Sequence, residues 1–353
     1  MDSQRSPEPG ARAALVELRE RLARVVPELA ALAARGLPAA VTPASGERYA
    51  VTGVGGSEGP ARLLVATLRS LGLGARFVPL SAFALGEVAA RPGERLCVFS
   101  QGLSPNARVA LSCAPRFAGG VLFTSALASS PLLAGFVAGG GRVLTLGPAE
   151  ETGTLLRVVG PPVAMLAAVL FAHEVAGAPV PARALAELPS DLEAAAAAAR
   201  AAIAALPAFA REAAVGRVAF VTAGEEGERG LACGLAIKWL EGLGVDEPPT
   251  WDVLEIAHGP FHAFYTEPRL LVALGEGGAL FDRLEAMLAP GRHALLRLPA
   301  RGPLARLVVE AAVNELFLAA FERAPRDLRD WPSKGKDAPL YALDEALGGR
   351  QPG

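Results

Sequence analysis

Cysteine, histidine and the large polar aromatics are all scarce in this chain of 353 residues, which has three cysteines, four histidines, three tryptophans and three tyrosines. Cys97, Cys113 and Cys233 lie far apart with no C-x-x-C spacing, and two of them fall in apolar runs where a free thiol acts as a small hydrophobe. That pattern excludes a cysteine metal cluster and points to a reducing cytoplasm. Positive charge is not in excess either. With 34 Lys+Arg against 36 Asp+Glu the formal net charge is -2, so there is no broad basic surface for nucleic acid and no polybasic run for an anionic membrane. An anionic ligand must be met locally. No apolar run reaches the roughly 18 residues that a membrane-spanning helix needs. The longest, Val163 to Ala176, carries His173 and Glu174 and is expected to be a buried helix. The opening segment MDSQRSPEPG has no apolar stretch, so neither a signal peptide nor an anchor is expected there.

What is present is ample apolar material, 52% of the chain, enough for two ordinary domains. Apolar residues at three- and four-residue spacing from Ala11 to Arg35 predict an amphipathic helix. Short apolar runs that end in Gly, Ser or Thr and precede a helical pattern follow at Arg48–Gly55, Ala75–Phe83, Arg95–Gln101, Gly120–Ser125 and Arg142–Gly147. Continuous apolar strands alternating with helices predict an α/β fold with a parallel sheet covered on both faces. In such sheets a ligand sits beyond the carboxyl ends of the strands. A Pro-flanked segment, Ala178 to Pro189, leads into a helix predicted over Asp191–Ala214. The alternation then restarts with strands at Arg217–Gly224, Asp252–Ala257, Pro268–Gly275 and Arg292–Leu298, and helices at Arg229–Leu243, Gly278–Leu288 and Leu304–Phe321. The pattern predicts two tandem doubly wound domains, 47–190 and 191–325, after an N-terminal segment 1–46. A polar tail, 326–353, has one short helical piece near Tyr341–Leu347, and its Trp331 and Tyr341 favour some packing on the domains.

The first strand runs into Gly53-Val54-Gly55-Gly56-Ser57 and then a helix. Glycines let backbone approach a ligand, the helix start offers free N–H groups, and Ser57 adds a hydroxyl. A tight turn with Ser57 as N-cap explains the same residues. A dinucleotide site would need an acidic residue after the next strand, which ends Phe77-Val78-Pro79-Leu80-Ser81 instead, so no such cofactor is expected. The third strand ends Phe99-Ser100-Gln101-Gly102-Leu103-Ser104 and opens another helix. Farther on, Lys238 and Glu241 stand three apart on one helix face, which is ordinarily a solvated pair. His258-Gly259-Pro260 is expected at the end of the following strand. His173 and His293 fit packed positions, and His262 would pair with His258 on a metal only if that turn were helical, which Pro260 opposes.

Taken together, the glycine turn with Ser57, the Ser100-Gln101-Gly102 turn with Ser104, the Lys238-Trp239-Leu240-Glu241 helix and the His-Gly-Pro turn resemble the sugar-isomerase (SIS) family. That resemblance implies two tandem SIS-type domains. It also implies a phosphorylated sugar or aminosugar as ligand, with its phosphate held by Gly56, Ser57, Ser100, Gln101 and Ser104. Thr124-Ser125 and Ser129-Ser130 fall where the family closes over its ligand. Glu241 matches the family's proton-shuttling glutamate, Lys238 a cation beside it, and His258 the ring-opening histidine that comes from a neighbouring subunit, which implies a homodimer. Lys336, in a stretch similar to the family's C-terminal imine-forming segment, is a further candidate, with Lys334 its rival and a solvated tail the alternative. The sequence departs from the pattern in the tail, where Lys336 is one residue short of register and no arginine follows Pro332, and in three further places. The Ser-Gln loop is one residue short, and two of the family's lysines are replaced by Leu240 and Ala257. The implied activity is a phosphosugar isomerase or an aminosugar-phosphate deaminase/deglycase working through an enediol, without a metal or other cofactor. The alternative is a non-catalytic phosphosugar sensor.

Overall fold

The computed structural model describes residues 9–37, 48–126, 130–147, 151, 153–224, 232, 234–264 and 266–343. It opens with α1 (Pro9–Arg35), as the apolar spacing predicts. Five strands then alternate with helices: β1 (Arg48–Thr52), α2 (Glu58–Ser70), β2 (Gly74–Phe77), α3 (Leu80–Ala84), β3 (Glu94–Phe99), α4 (Pro105–Ser112), β4 (Gly120–Thr124), α5 (Pro131–Ala138) and β5 (Arg142–Thr145). All pairings are parallel, in the order β2-β1-β3-β4-β5. Alternation along the strands fills both faces. Tyr49, Phe99 and Phe123 form an aromatic file with Phe171, which belongs to α6 (Gly160–Val175) and packs edge-on to Tyr49 and Phe123. Ala50, Leu96, Val98 and Leu122 point to the other face and meet Phe83 and Val109. α6 is the apolar run of the sequence and lies almost wholly buried. His173 ends it, its Nδ1 hydrogen-bonded to the Ala178 carbonyl at 2.6 Å.

The second sheet comprises β6 (Val218–Thr222), β7 (Thr250–Asp252), β8 (Arg269–Leu274) and β9 (His293–Leu298), all parallel, in the order β7-β6-β8-β9. That order repeats the first four strands of the first sheet, so the duplication lies in topology and not in residues. Before it run α7 (Ala182–Ala205) and α8 (Ala208–Gly216); between and after its strands run α9 (234–238, closed by a π-helical turn, Trp239–Leu243), α10 (Pro260–Phe264), α11 (Ala279–Met287) and α12 (Ala305–Arg323). A short α13 (Ala338–Tyr341) lies in the tail.

The packing divides the chain into two units. One holds the first sheet, as Glu28–Glu150, Gly160–Ala186 and Pro332–Gly353; the other holds the second, as Met1–Pro27, Glu151–Val159 and Glu187–Trp331. The contiguous domains of the sequence reading are therefore interleaved. The stretch 151–159 packs with the second sheet, and the tail from Pro332 packs with the first, Leu343 resting on its core.

Three predicted elements change. The strand run expected over Ala75–Phe83 stops at Phe77, and Leu80–Ala84 turns into the short helix α3. The helix expected over Asp191–Ala214 begins at Ala182, carries Pro189 inside it and breaks at Pro207, where α7 and α8 meet at 119°. The strand expected over Asp252–Ala257 stops at Asp252. Beyond it the buried residues Val253 and Ile256 are three apart, the spacing of a tight helical turn and not of a strand, and Glu255–His258 is a 3-10 turn. His258 thus stands in that turn rather than at a strand end. The turn is fixed by Asp252, whose carboxylate accepts the Leu254 N–H at 2.9 Å.

The core of the second unit is built around Trp239. Its ring meets Phe220 and Phe317 edge-on at 5.7 and 5.5 Å, and its Nε1–H donates to the Ala214 carbonyl at 2.8 Å. His293 is buried beside Phe264 with no hydrogen-bond partner for either ring nitrogen among the described residues. Burial first, then Arg292 and Arg269, holds its pKa below the usual value, so it packs as a neutral ring. Beneath the π turn lies a polar cluster. Lys238, 1% exposed, forms an ion pair with Glu310 and a hydrogen bond to Asn314, both on α12. Removing one partner of such a pair strands the other charge in protein. Lys238→Met is expected to cost about 3–5 kcal/mol in urea unfolding, and adding Glu310→Leu to recover most of it; a loss below about 1 kcal/mol would contradict a structural role for this pair.

Candidate functional site

In the first unit β1 lies between β2 and β3, so successive connections leave it on opposite sides, and the crevice at that reversal opens beyond the carboxyl ends of β1 and β3. Both serine-bearing turns are there. After β1, a Cβ on Gly53 would fall 2.4 Å from the Ser57 carbonyl oxygen, so the turn closes only over glycine. Gly55, at φ +58, starts the 3-10 turn Gly55–Ser57 that feeds α2. After β3, the Ser100 N–H donates to the Phe123 carbonyl at 3.0 Å. The Gln101 carbonyl accepts the Ser125 N–H and the Thr124 hydroxyl at 2.9 and 3.1 Å. The Ser104 N–H donates to the Ser100 hydroxyl oxygen at 3.1 Å, which draws the shortened loop tight. Its strain shows at Leu103, a buried non-glycine residue with φ +53.

Gly56, Ser57, Ser100 and Gln101 come together in a pocket closed by Gly160 and Pro161 at the start of α6. Gly160 lets the Gln101 amide approach closely, since a Cβ there would stand 2.2–2.3 Å from it. The cavity holds only about 10 Å³, room for roughly one water molecule. Two buried hydroxyls, Thr52 at the end of β1 and Ser125 just past β4, have no hydrogen-bond partner among the described residues. Ser104 does not line the pocket; its hydroxyl donates to Asn106 at 2.8 Å. Ser129 lies outside the described residues, as does Cys233; Cys97 and Cys113 are buried and in no disulfide. A larger cavity, about 560 Å³, opens at the amino end of β4 among Phe117, Leu132 and Phe136. It lacks the convergent polar groups of the serine turns.

The other candidates belong to the second unit or the tail. Glu241 sits in the π turn, a helix distortion found often at functional positions. Its side chain keeps some contact with solvent while protein surrounds the carboxyl. Burial pushes the group from its ordinary value near 4.5 up to about 8; Arg157 opposes the rise and Glu151 adds to it. Lys238, read as the cation beside Glu241, instead has its ammonium buried against Glu310 and Asn314. Leu240 is about half exposed. His258 is exposed at the end of its 3-10 turn, and His262 follows in α10; among the described residues no group of three or more metal-ligating side chains occurs. Lys336 and Lys334 stand exposed in the turns before α13. Sequence reasoning missed Glu151 and Arg157. Glu151 is fully buried and accepts the Val158 and Val159 N–H groups at 2.7 and 3.0 Å. Its neighbours Glu150, Thr152 and Gly153 read as an ordinary polar turn, so nothing in the sequence marks it.

Comparison with protein-family models finds no match, and comparison with curated proteins finds none. Solved structures do match. Glucosamine-6-phosphate deaminase from Thermotoga maritima superposes with a TM-score of 0.66 at 15% identity, covering 91% of this chain and 97% of that one. Tagatose-6-phosphate ketose/aldose isomerase from Escherichia coli gives 0.65 at 14%, covering 93% and 98%. The C-terminal domain of glucosamine-fructose-6-phosphate aminotransferase from Francisella tularensis gives 0.62 at 11%, covering 92% and 99%. At these identities the likeness establishes the fold, two parallel α/β sheets of the sugar-isomerase type.

The raised carboxyl of Glu241 makes stability depend on pH. The folded state holds its proton up to about pH 8 and the unfolded state releases it near 4.5, so the folded state binds more protons between those values. Stability therefore falls as pH rises through that window. Glu241→Gln is expected to flatten this part of the melting-temperature profile. Superimposable profiles for the two proteins would place the carboxyl in water.

Proposed function

We propose, from this sugar-isomerase fold, that the chain binds a phosphorylated sugar and shifts a proton between its adjacent carbons, as an aldose–ketose phosphosugar isomerase or an aminosugar-phosphate deaminase/deglycase. The phosphate is assigned to Gly56, Ser57, Ser100 and Gln101, and Glu241 is the base. The observation that carries the reading is the Glu241 carboxyl, desolvated in a π turn with a pKa of about 8. Moving a proton off and back onto carbon needs a single group that accepts and returns it near working pH, and a carboxyl in water is too weak a base for this. The solved structures named above add that the fold hosts both chemistries in other proteins. In this reading His258, exposed on its turn, opens the sugar ring of a neighbouring subunit in a homodimer. Lys336 is the tail residue assigned to carbonyl capture, from an exposed turn.

The strained, shortened loop and its small cavity favour a second reading, a phosphosugar sensor that does no chemistry. A single set of measurements separates the two. Melting temperature is followed against hexose and aminohexose 6-phosphates beside their unphosphorylated parents. A ligand at a hundred times its dissociation constant stabilises the fold by about 2.7 kcal/mol. Only phosphorylated sugars are expected to shift the melting point, and Ser100→Ala is expected to reduce the shift. The enzyme reading further expects kcat/KM to fall as pH drops through about 8, because the base must be ionised. It also expects Glu241→Gln to remove turnover while ligand affinity stays within a few-fold. Binding without turnover in the parent protein establishes the sensor instead, and no shift with any phosphosugar rejects both.

A further inference from the structure

Removing a proton beside a carbonyl leaves negative charge on the carbonyl oxygen, and that oxygen needs a donor or cation in contact. In this chain the obvious suppliers are gone: Lys238 is committed to Glu310 and Asn314, and positions 240 and 257 carry Leu240 and Ala257. The segment 151–159, outside every motif of the sequence, packs into the same unit as Glu241. It is held rigidly. The Glu151 carboxylate accepts the N–H groups of Val158 and Val159, the Thr154 hydroxyl donates to the Leu156 carbonyl at 3.2 Å, and Arg21 donates to Thr154 at 2.7 Å and to the Leu156 carbonyl at 3.4 Å. Leu156 presses on the π turn itself, its Cδ2 lying 3.3 Å from where a Cβ on Gly242 would stand. Arg157 follows Leu156 and Glu241 precedes Gly242, so each is the chain neighbour of a residue in this contact. Arg157 is partly exposed and makes no hydrogen bond or ion pair among the described residues.

We propose that Arg157 is the catalytic cation of the Glu241 site, its guanidinium holding the sugar oxygen that becomes negative when Glu241 takes the proton. The inference rests on the isomerase reading above and names the group that reading lacks. The step balances without a co-reactant. Glu241 takes the proton from the carbon beside the carbonyl, the C–H electron pair forms the C=C bond, and the carbonyl π pair moves onto oxygen against Arg157. The neighbouring hydroxyl proton then passes to that oxygen, the electron pair it leaves forms the new C=O bond, and the C=C pair takes the proton back from Glu241 at the former carbonyl carbon. A guanidinium suits the role because it stays charged at any working pH and offers several donors in one plane. The charged groups facing Glu241 are Arg157 and Glu151, while the Lys238–Glu310 pair under its own helix is internally neutralised.

The test uses the full chain with Arg157→Met and Arg157→Lys and has two readouts. In the ligand-free protein, the upper end of the Glu241-dependent stability window, near pH 8 in the parent, should move to higher pH in Arg157→Met and stay in place in Arg157→Lys. With the phosphosugar that shifts the parent's melting point, Arg157→Met should lose about a hundredfold to a thousandfold in kcat with affinity within a few-fold, and Arg157→Lys should regain part of it. Unchanged kcat in Arg157→Met beside an active parent overturns the role of Arg157 alone, as does an unmoved pH window. A parent that neither binds nor converts any phosphosugar overturns the isomerase reading, and the catalytic role of Arg157 falls with it.

Discussion

Burial of one carboxyl organises the second unit. Glu241 lies in a helix that swells at Trp239–Leu243, where Gly242 lets Phe317 and Leu156 close in and Trp239 packs edge-on to Phe220 and Phe317. A regular α-helical turn would rotate the residues after Trp239 and release that packing. The Lys238–Glu310–Asn314 cluster lies directly under the turn and fixes the helix to α12. A buried ion pair of this kind contributes little net stability against an apolar replacement, and its value is in fixing one arrangement.

The first unit obeys a different constraint. A parallel sheet wound in the order β2-β1-β3-β4-β5 has one reversal, and every polar group with a claim to bind an anion in this unit lies at strand ends around it. The backbone there is demanding. Gly53 and Gly160 each admit a neighbour where a methyl group would clash, and Leu103 accepts a left-handed conformation to close a loop one residue short. Strain retained at a strand end that faces a crevice, rather than relieved by one inserted residue, is a cost the rest of the sheet sustains.

Much of this was legible in the sequence because the signals are local. A strand that ends Phe99-Ser100-Gln101 announces its carboxyl end by the change from apolar to polar, and the glycines after β1 mark a turn before a helix. What was not legible depends on distant partners. Lys238 looks like a surface residue until Glu310, 72 positions later, is brought against it. The sequence reading sets a boundary at Pro189 and carries a helix through Pro207, yet Pro189 lies inside α7 and the chain turns by 119° at Pro207. The segment 151–159 carries no motif, and its place with the second sheet arises from packing alone. His258 moved from a strand end to a 3-10 turn because Val253 and Ile256, three apart, are the residues that need burial.

The electrostatics of the Glu241 site follow from the same economy of charge. Two lysines of the resembling motif are absent and a third is neutralised, so desolvation is opposed by a single cation and the carboxyl rises to about 8. A second lysine facing Glu241 would have pulled the carboxyl down and weakened it as a base. One uncommitted guanidinium on a rigid segment leaves the base strong and still offers positive charge to an oxygen that acquires its charge only during reaction. A cation balanced in this way interacts more strongly with the transition state than with the neutral ground state, which is the condition for raising rate rather than affinity.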